Sequence, residues 1–102
     1  MNTQAHVYIK GDVIGVGFRA WTKIQTKLTG GVNGWIRNTH DKEEVFGRGG
    51  GVEAVFQGEE SAVKKMIEIV KTGPPIAHVE EVEVMWQDPK EVFESFEIRP
   101  SV

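Results

Sequence analysis

Residues Lys10 to Arg19 read KGDVIGVGFR. Glycine weakens the interior of a strand or a helix, so Gly11, Gly15 and Gly17 mark a place where the backbone itself approaches something closely. An anion is the natural object of that approach. The segment Gly15-Val16-Gly17-Phe18-Arg19-Ala20 also satisfies G-x-G-x-x-A, the dinucleotide-binding fingerprint. Reading this stretch one way implies a doubly wound parallel sheet, and reading it another way implies something smaller. Its flanks decide the matter.

Before the glycines, Ala5-His6-Val7-Tyr8-Ile9-Lys10 alternates Val7 and Ile9 against His6, Tyr8 and Lys10, the period of a strand with one covered face. After them, Arg19 to Leu28 sets Trp21, Ile24 and Leu28 at helical intervals with Lys23 and Lys27 opposite, and Gly30-Gly31 supplies a stop. Val32 to Asn38 and Val52 to Gln57 read as strands joined in a hairpin across Phe46-Gly47-Arg48-Gly49-Gly50-Gly51. Glu59-Glu60-Ser61 then opens a second helix with Ala62, Met66, Ile67 and Val70 on one face, ended before Gly73-Pro74-Pro75. Val82, Val84 and Trp86 mark a further strand, and Phe96 with Ile98 a short last one. The order predicts an α+β ferredoxin-like sandwich (βαββαβ), with a mainly antiparallel sheet covered on one face by two helices. The hairpin leaves no material for the parallel strands of a dinucleotide fold. A Walker-type loop fails because no Gly-Lys-Ser/Thr follows at the required spacing.

A chain of 102 residues, 39% hydrophobic, is expected to form a single domain over residues 1–102. Its net charge of −3 gives no general attraction for nucleic acid or an anionic membrane, so any anion site must be local. Without cysteine there is neither a disulfide framework nor a thiol nucleophile, and no apolar run approaches the roughly 20 residues needed to span a bilayer. A cytoplasmic monomer is the expectation. His6, His40 and His78 lack the spacing of a metal site and are expected on the surface or on a sheet face. Trp21, Trp35 and Trp86 are expected to pack in the core or at its edge, and Glu80, Glu81 and Glu83 to form a solvated strand face. Gly47 to Gly51 is expected to be a mobile hairpin tip, with Arg48 dispensable.

On physical grounds two readings of the opening stretch survive. In one, Gly15 and Gly17 let successive backbone N–H groups turn inward as a nest at the start of a helix, with Arg19 adding a guanidinium suited to phosphate oxygens. In the other it is a tight strand-to-helix turn with a solvated arginine. Spacing alone does not choose between them.

Three ordered blocks do. Gly11-Asp12-Val13-Ile14-Gly15-Val16-Gly17-Phe18-Arg19, then Gly34-Trp35-Ile36-Arg37-Asn38-Thr39, then Val52-Glu53-Ala54-Val55-Phe56-Gln57-Gly58 resemble the acylphosphatases over nearly the whole chain, down to a closing Phe96-Glu97-Ile98-Arg99. The resemblance implies an enzyme that hydrolyses the carboxyl–phosphate bond of acyl phosphates to carboxylate and inorganic phosphate, with no metal or other cofactor. It implies phosphate binding by Gly15, Val16, Gly17, Phe18 and Arg19, an essential Arg19, and an Asn38 that positions the attacking water. Its implied partners are a small acyl phosphate and the phosphate product, which would also inhibit. Ile14 stands where the family commonly has glutamine, an extra residue falls near Gly30, and the connection around residues 43–50 is longer than usual. A non-catalytic module is the competing reading, since acylphosphatase-like domains also occur inside larger proteins handling carbamoyl phosphate. RNA binding is disfavoured by the charge and by the absence of a recognisable aromatic platform in the sequence.

Overall fold

The computed structural model describes residues 2–102. Along the chain run β1 (Asn2–Asp12), α1 (Phe18–Thr29), β2 (Val32–Thr39), a single-turn α2 (Glu43–Phe46), β3 (Gly51–Glu59), α3 (Glu60–Thr72), β4 (His78–Gln87) and β5 (Phe96–Ile98). The strands form one sheet in the order β4-β1-β3-β2-β5, antiparallel throughout except between β2 and β5. Both long helices lie on the same face, α1 over β2 and β5 and α3 over β1, β3 and β4. The expected sandwich is present, with α2 as an addition.

The core lies between that face and the helices. Val7 and Ile9 of β1, Ile36 of β2, and Val52, Ala54 and Phe56 of β3 meet Phe18, Val63, Met66 and Val70. All of these residues are almost wholly shielded from solvent. In α3 the buried stripe Val63, Met66, Ile67 and Val70 follows the spacing read from the sequence, with Ala62 packed at its margin.

In α1 the expected stripe is wrong. Ile24 is 56% exposed and Leu28 75%, whereas Phe18, Thr22 and Thr26 are buried. The helix begins at Phe18 rather than Arg19, directly after Gly17, and Phe18 enters the core. Helical spacing then carries Thr22 and Thr26 inward behind it. Their hydroxyls bond back within the helix, Thr22 to the Phe18 carbonyl at 2.8 Å and Thr26 to the Lys23 carbonyl at 2.7 Å, so burial strands no polar group. Trp21 packs at the core margin, its ring 5.6 Å from that of Phe18.

The connection between β2 and β3 also differs from expectation. Only Gly47, Arg48 and Gly49 of the glycine run are exposed, while Gly50 and Gly51 are buried. Gly47 closes α2 by donating to the Glu43 carbonyl at 2.8 Å. The Phe46 ring lies edge-on to Tyr8 at 5.4 Å, which folds the connection back over the face of the sheet away from the long helices.

Gly34 explains one invariant need of β2. Its φ is +139°, and an added Cβ would overlap the Val55 carbonyl of β3. Gly34→Ala is therefore expected to cost upwards of about 2 kcal/mol, combining strained backbone with overlap. The measurement is the urea midpoint at constant slope. A midpoint equal to the parent's would mean that β2 shifts freely enough to admit a methyl group.

Candidate active site

Between β1 and α1 the chain makes a turn with few internal hydrogen bonds. The Val13 N–H donates to the Gly11 carbonyl at 3.1 Å, and the first bond of α1 runs from the Trp21 N–H to the Gly17 carbonyl at 3.0 Å. Among the described residues, the intervening N–H groups of Ile14 to Arg19 find no acceptor. Gly15 and Gly17 have φ of +78° and +77°, and no side chain caps the helix. A Cβ added at either glycine would meet nothing within 4 Å, so glycine is required there by conformation, not by crowding from the protein. The resulting concavity of donors at a helix N-terminus suits an anion.

Arg19 sits in the first turn of α1, half-buried, with no ion pair or hydrogen bond among the described residues. Asn38 lies across the sheet. Ile9 of β1 pairs with Val52 of β3, and Val52 pairs with Asn38 of β2, so the three form one row. Because β1 and β2 both run antiparallel to β3, the end of β1 that leads into the loop and the end of β2 that carries Asn38 meet at one end of the sheet. α1 starts at that end too. Alternation with Ile36 puts Asn38 on the helix-covered face. Asn38 is only 7% exposed, yet its side-chain amide has no partner among the described residues. No buried side-chain nitrogen or oxygen among the described residues lacks a partner, so the free atoms of this amide reach solvent.

The long connection lies beside this site. A cleft of about 440 Å³ opens between Val13 and Ile14 of the loop and Phe46, Gly49 and Gly50 of the connection, with Lys10, Asp12, Glu80 and Glu81 on its polar side. Lys10 Nζ stands 3.4 Å from carboxylate oxygens of both Glu81 and Glu83. Arg48 is exposed to solvent, its one ion pair among the described residues a 3.6 Å approach to Glu43.

One residue near the site escaped the sequence reading. Glu53 occupies the outward phase of β3, where alternation suggests a solvated carboxylate, yet its side chain is 2% exposed. His6 Nε2 stands 2.6 Å from its Oε2, while Thr39 Oγ1 at 3.0 Å and Arg37 Nε at 3.1 Å donate to Oε1, and Arg37 Nη2 forms an ion pair with the same oxygen at 3.0 Å. Nothing local in Val52-Glu53-Ala54 announces this, because the partners come from two other strands. Aromatic residues share the face: His6 neighbours Tyr8 at 5.2 Å and Trp35 at 5.8 Å. They do not make a stacking platform. The Arg37 and Arg99 guanidinium groups each lie 4.8 Å from the Trp35 ring centre, and Phe46 rests on Tyr8. Trp35 is thus buried on the face opposite the core, whereas Trp86 of β4 is 48% exposed and stands outside the core cluster, contrary to the expectation for both.

A ferredoxin-like sandwich with a donor-lined loop at one end of its sheet is the class that the geometry defines. A sequence model of the acylphosphatases matches residues 5–98. The acylphosphatase of Pyrobaculum islandicum is 48% identical over 101 residues, covering 99% of this chain and 98% of that one. The crystal structure of acylphosphatase from Bacillus subtilis superposes with a TM-score of 0.82 at 29% identity, over 97% of this chain and 99% of that one. The acylphosphatase structure from Coxiella burnetii gives 0.81 at 28% identity, over 96% and 93%. The chain belongs to the acylphosphatase family, whose activity is the hydrolysis of acyl phosphates.

Burial pushes the Glu53 carboxyl up, but hydrogen bonds from His6, Thr39 and Arg37, with the Arg37 charge, outweigh it and hold the group below its ordinary value of 4.5. A depressed carboxyl contributes stability that is complete above its unfolded-state pKa and lost as pH falls through the folded-state value. Between about pH 7 and pH 3 the parent is therefore expected to lose more stability than Glu53→Gln, compared by urea midpoints. An equal loss in both proteins would remove Glu53 from the acid response.

Proposed function

We propose that the phosphoryl group of an acyl phosphate rests on the amides of Gly15, Val16, Gly17, Phe18 and Arg19 and on the Arg19 guanidinium, while Asn38 positions the attacking water. The run of unpaired amides from Ile14 to Arg19, beside an unpaired guanidinium, carries this reading. Donors fixed before reaction stabilise charge on a transferring phosphoryl group without reorganising. Asn38 brings a donor and an acceptor on one short side chain, enough to hold water in line without acting as a base. The water oxygen forms the new bond to phosphorus. The bond from phosphorus to the acyl oxygen breaks with its electron pair going to the carboxylate, and the water's protons pass to phosphate oxygen and solvent. A carboxylate is a weak base and leaves unprotonated, so no general acid is needed. Amides and guanidinium supply the charge neutralisation that a metal ion supplies elsewhere, and the reaction is accordingly metal-independent in this reading. The protein acts as a monomer, and inorganic phosphate competes for the loop.

Benzoyl phosphate and p-nitrophenyl phosphate, each with and without a chelator, test the reaction class. Turnover of benzoyl phosphate alone, unchanged by chelation, is expected; failure to turn it over, or loss of turnover with chelator, would refute the proposal.

Gly15→Val and Gly17→Val are expected to weaken inorganic phosphate binding while leaving the circular dichroism spectrum close to the parent's, because a β-branched residue resists positive φ. Parental phosphate affinity in either folded variant would dismiss the cradle. Arg19→Ala is expected to raise KM, weaken phosphate inhibition and lower kcat together. Asn38→Ala is expected to lower kcat by about 10²–10³, with phosphate affinity within a few-fold of the parent, since its contact is made chiefly in the transition state. A folded, nearly fully active Asn38→Ala would make Asn38 a structural residue only.

A further inference from the structure

We propose that Glu53 is a positioning residue for Asn38, gripping both of its neighbours on β2 from the far face of the sheet and so setting the direction in which the Asn38 amide points. The catalytic consequence rests on the proposed role of Asn38.

Asn38 is held by nothing at its own tip, since its side-chain amide has no partner among the described residues. Its direction must come from packing and from the backbone beneath it. That backbone is pinned on either side of Asn38. Arg37 donates through Nε, and Thr39 through Oγ1, to the same Oε1 atom of Glu53, and Arg37 Nη2 is ion-paired with it. Glu53 lies opposite Arg37 in the pairing of β2 with β3, and its neighbour Val52 lies opposite Asn38. The other carboxylate oxygen is occupied by His6 of β1, so three strands converge on one side chain. Successive residues of a strand point to opposite faces. With Arg37 and Thr39 fixed on the far face, the Asn38 side chain is aimed at the helix-covered face where α1 begins.

Glu53 flanks Asn38 directly through Arg37 and Thr39, whereas its contact on β1 is His6, well before the loop that follows Asp12. The phosphate cradle belongs to the loop after β1 and to α1, so disturbing Glu53 should misplace the water while leaving ground-state phosphate binding intact. A misplacement well below an ångström-scale rearrangement of the fold can still cost much of the rate. Gln57 serves as the comparison residue. It is a buried polar residue on the same face of β3, 4% exposed, bonded to Gln4 and to the backbone of Glu91 and Phe93, and paired with Asn33 at the other end of β2.

Glu53→Gln keeps the shape and one acceptor but removes the charge, and Thr39→Val removes one grip while leaving Glu53 in place. Each is compared with Gln57→Ala for kcat on benzoyl phosphate, inhibition by inorganic phosphate, and the NMR resonances of the Asn38 side-chain amide. Glu53→Gln is expected to lower kcat about tenfold with phosphate inhibition within twofold of the parent, and Thr39→Val to lower kcat with phosphate inhibition likewise within twofold. The Asn38 amide resonances are expected to move in both variants and to stay in place in Gln57→Ala. In an Asn38→Ala background Glu53→Gln is expected to cost nothing further, because the two act through one contact. An equal loss in both backgrounds, or a parental kcat in folded Glu53→Gln, would overturn the catalytic consequence. Unmoved Asn38 resonances would overturn the positioning itself. The NMR measurement needs no turnover, so a failure of the proposed water-positioning role is seen separately, as parental activity in Asn38→Ala.

Discussion

Everything at the working end of this protein depends on the register of β3. That strand is hydrogen-bonded on both sides, to β1 and to β2, and is buried on both faces over Gly51 to Gly58. Val52, Ala54 and Phe56 face the helices; Glu53, Val55 and Gln57 face the other way. A slip of one residue would carry Glu53 into the apolar core and Phe56 out of it, a change costing far more than any compensating contact could return. Glu53 and Gln57 thereby specify the sheet as well as stabilise it, since each finds its partners only in one alignment.

That register places the site. The row from Ile9 through Val52 to Asn38 brings the end of β1 level with the end of β2, although the two strands are not hydrogen-bonded to each other. α1 starts at the same end because it must run back from the loop after β1. Three separate stretches of sequence thus converge through strand pairing alone. The loop anchors itself in the core through Val13, with Ile14 and Val16 against it, while its amides from Ile14 to Arg19 carry no protein acceptor and Gly15 and Gly17 are exposed. Hydrated donors of this kind are the ones an anion displaces water from at small cost.

The order of the elements was legible because most of the strands alternate cleanly and glycine or proline marks nearly every stop. Local spacing offered an anion loop with Arg19 only as one of two readings, and it offered nothing for Asn38. Read alone it is a strand-end turn residue, and only the family resemblance gave it a role. The failures have a common cause. Ile24 and Leu28 look like a core stripe until Gly17 and Phe18 set the phase of α1 and turn Thr22 and Thr26 inward. Phe46 sits in what reads as a glycine-rich hairpin tip, and its burial against Tyr8 requires a strand some forty residues earlier, on the order of the separation that only the fold can close. Glu53 is the extreme case, with partners on β1 and β2 and none nearby. Periodicity reports what a segment does by itself; it is silent on contacts made between segments.

The burial of so much polar structure on the far face has a physical reason in the proposed chemistry. A carboxylate leaving group needs no proton, and an amide cradle needs no metal, so hydrolysis asks little of the side chains beyond placement. Placement is hard for Asn38, a short side chain with no partner to steady it. Adding a hydrogen-bond partner on its own face would steady it but would occupy the donor or acceptor meant for water. The remaining route is to fix the backbone from behind. The carboxylate of Glu53 does this for Arg37 and Thr39, and the stacking of Arg37 and Arg99 on Trp35 holds β2 against the tail of β5. In that proposal the face without catalytic groups is the one that gives the other face its precision.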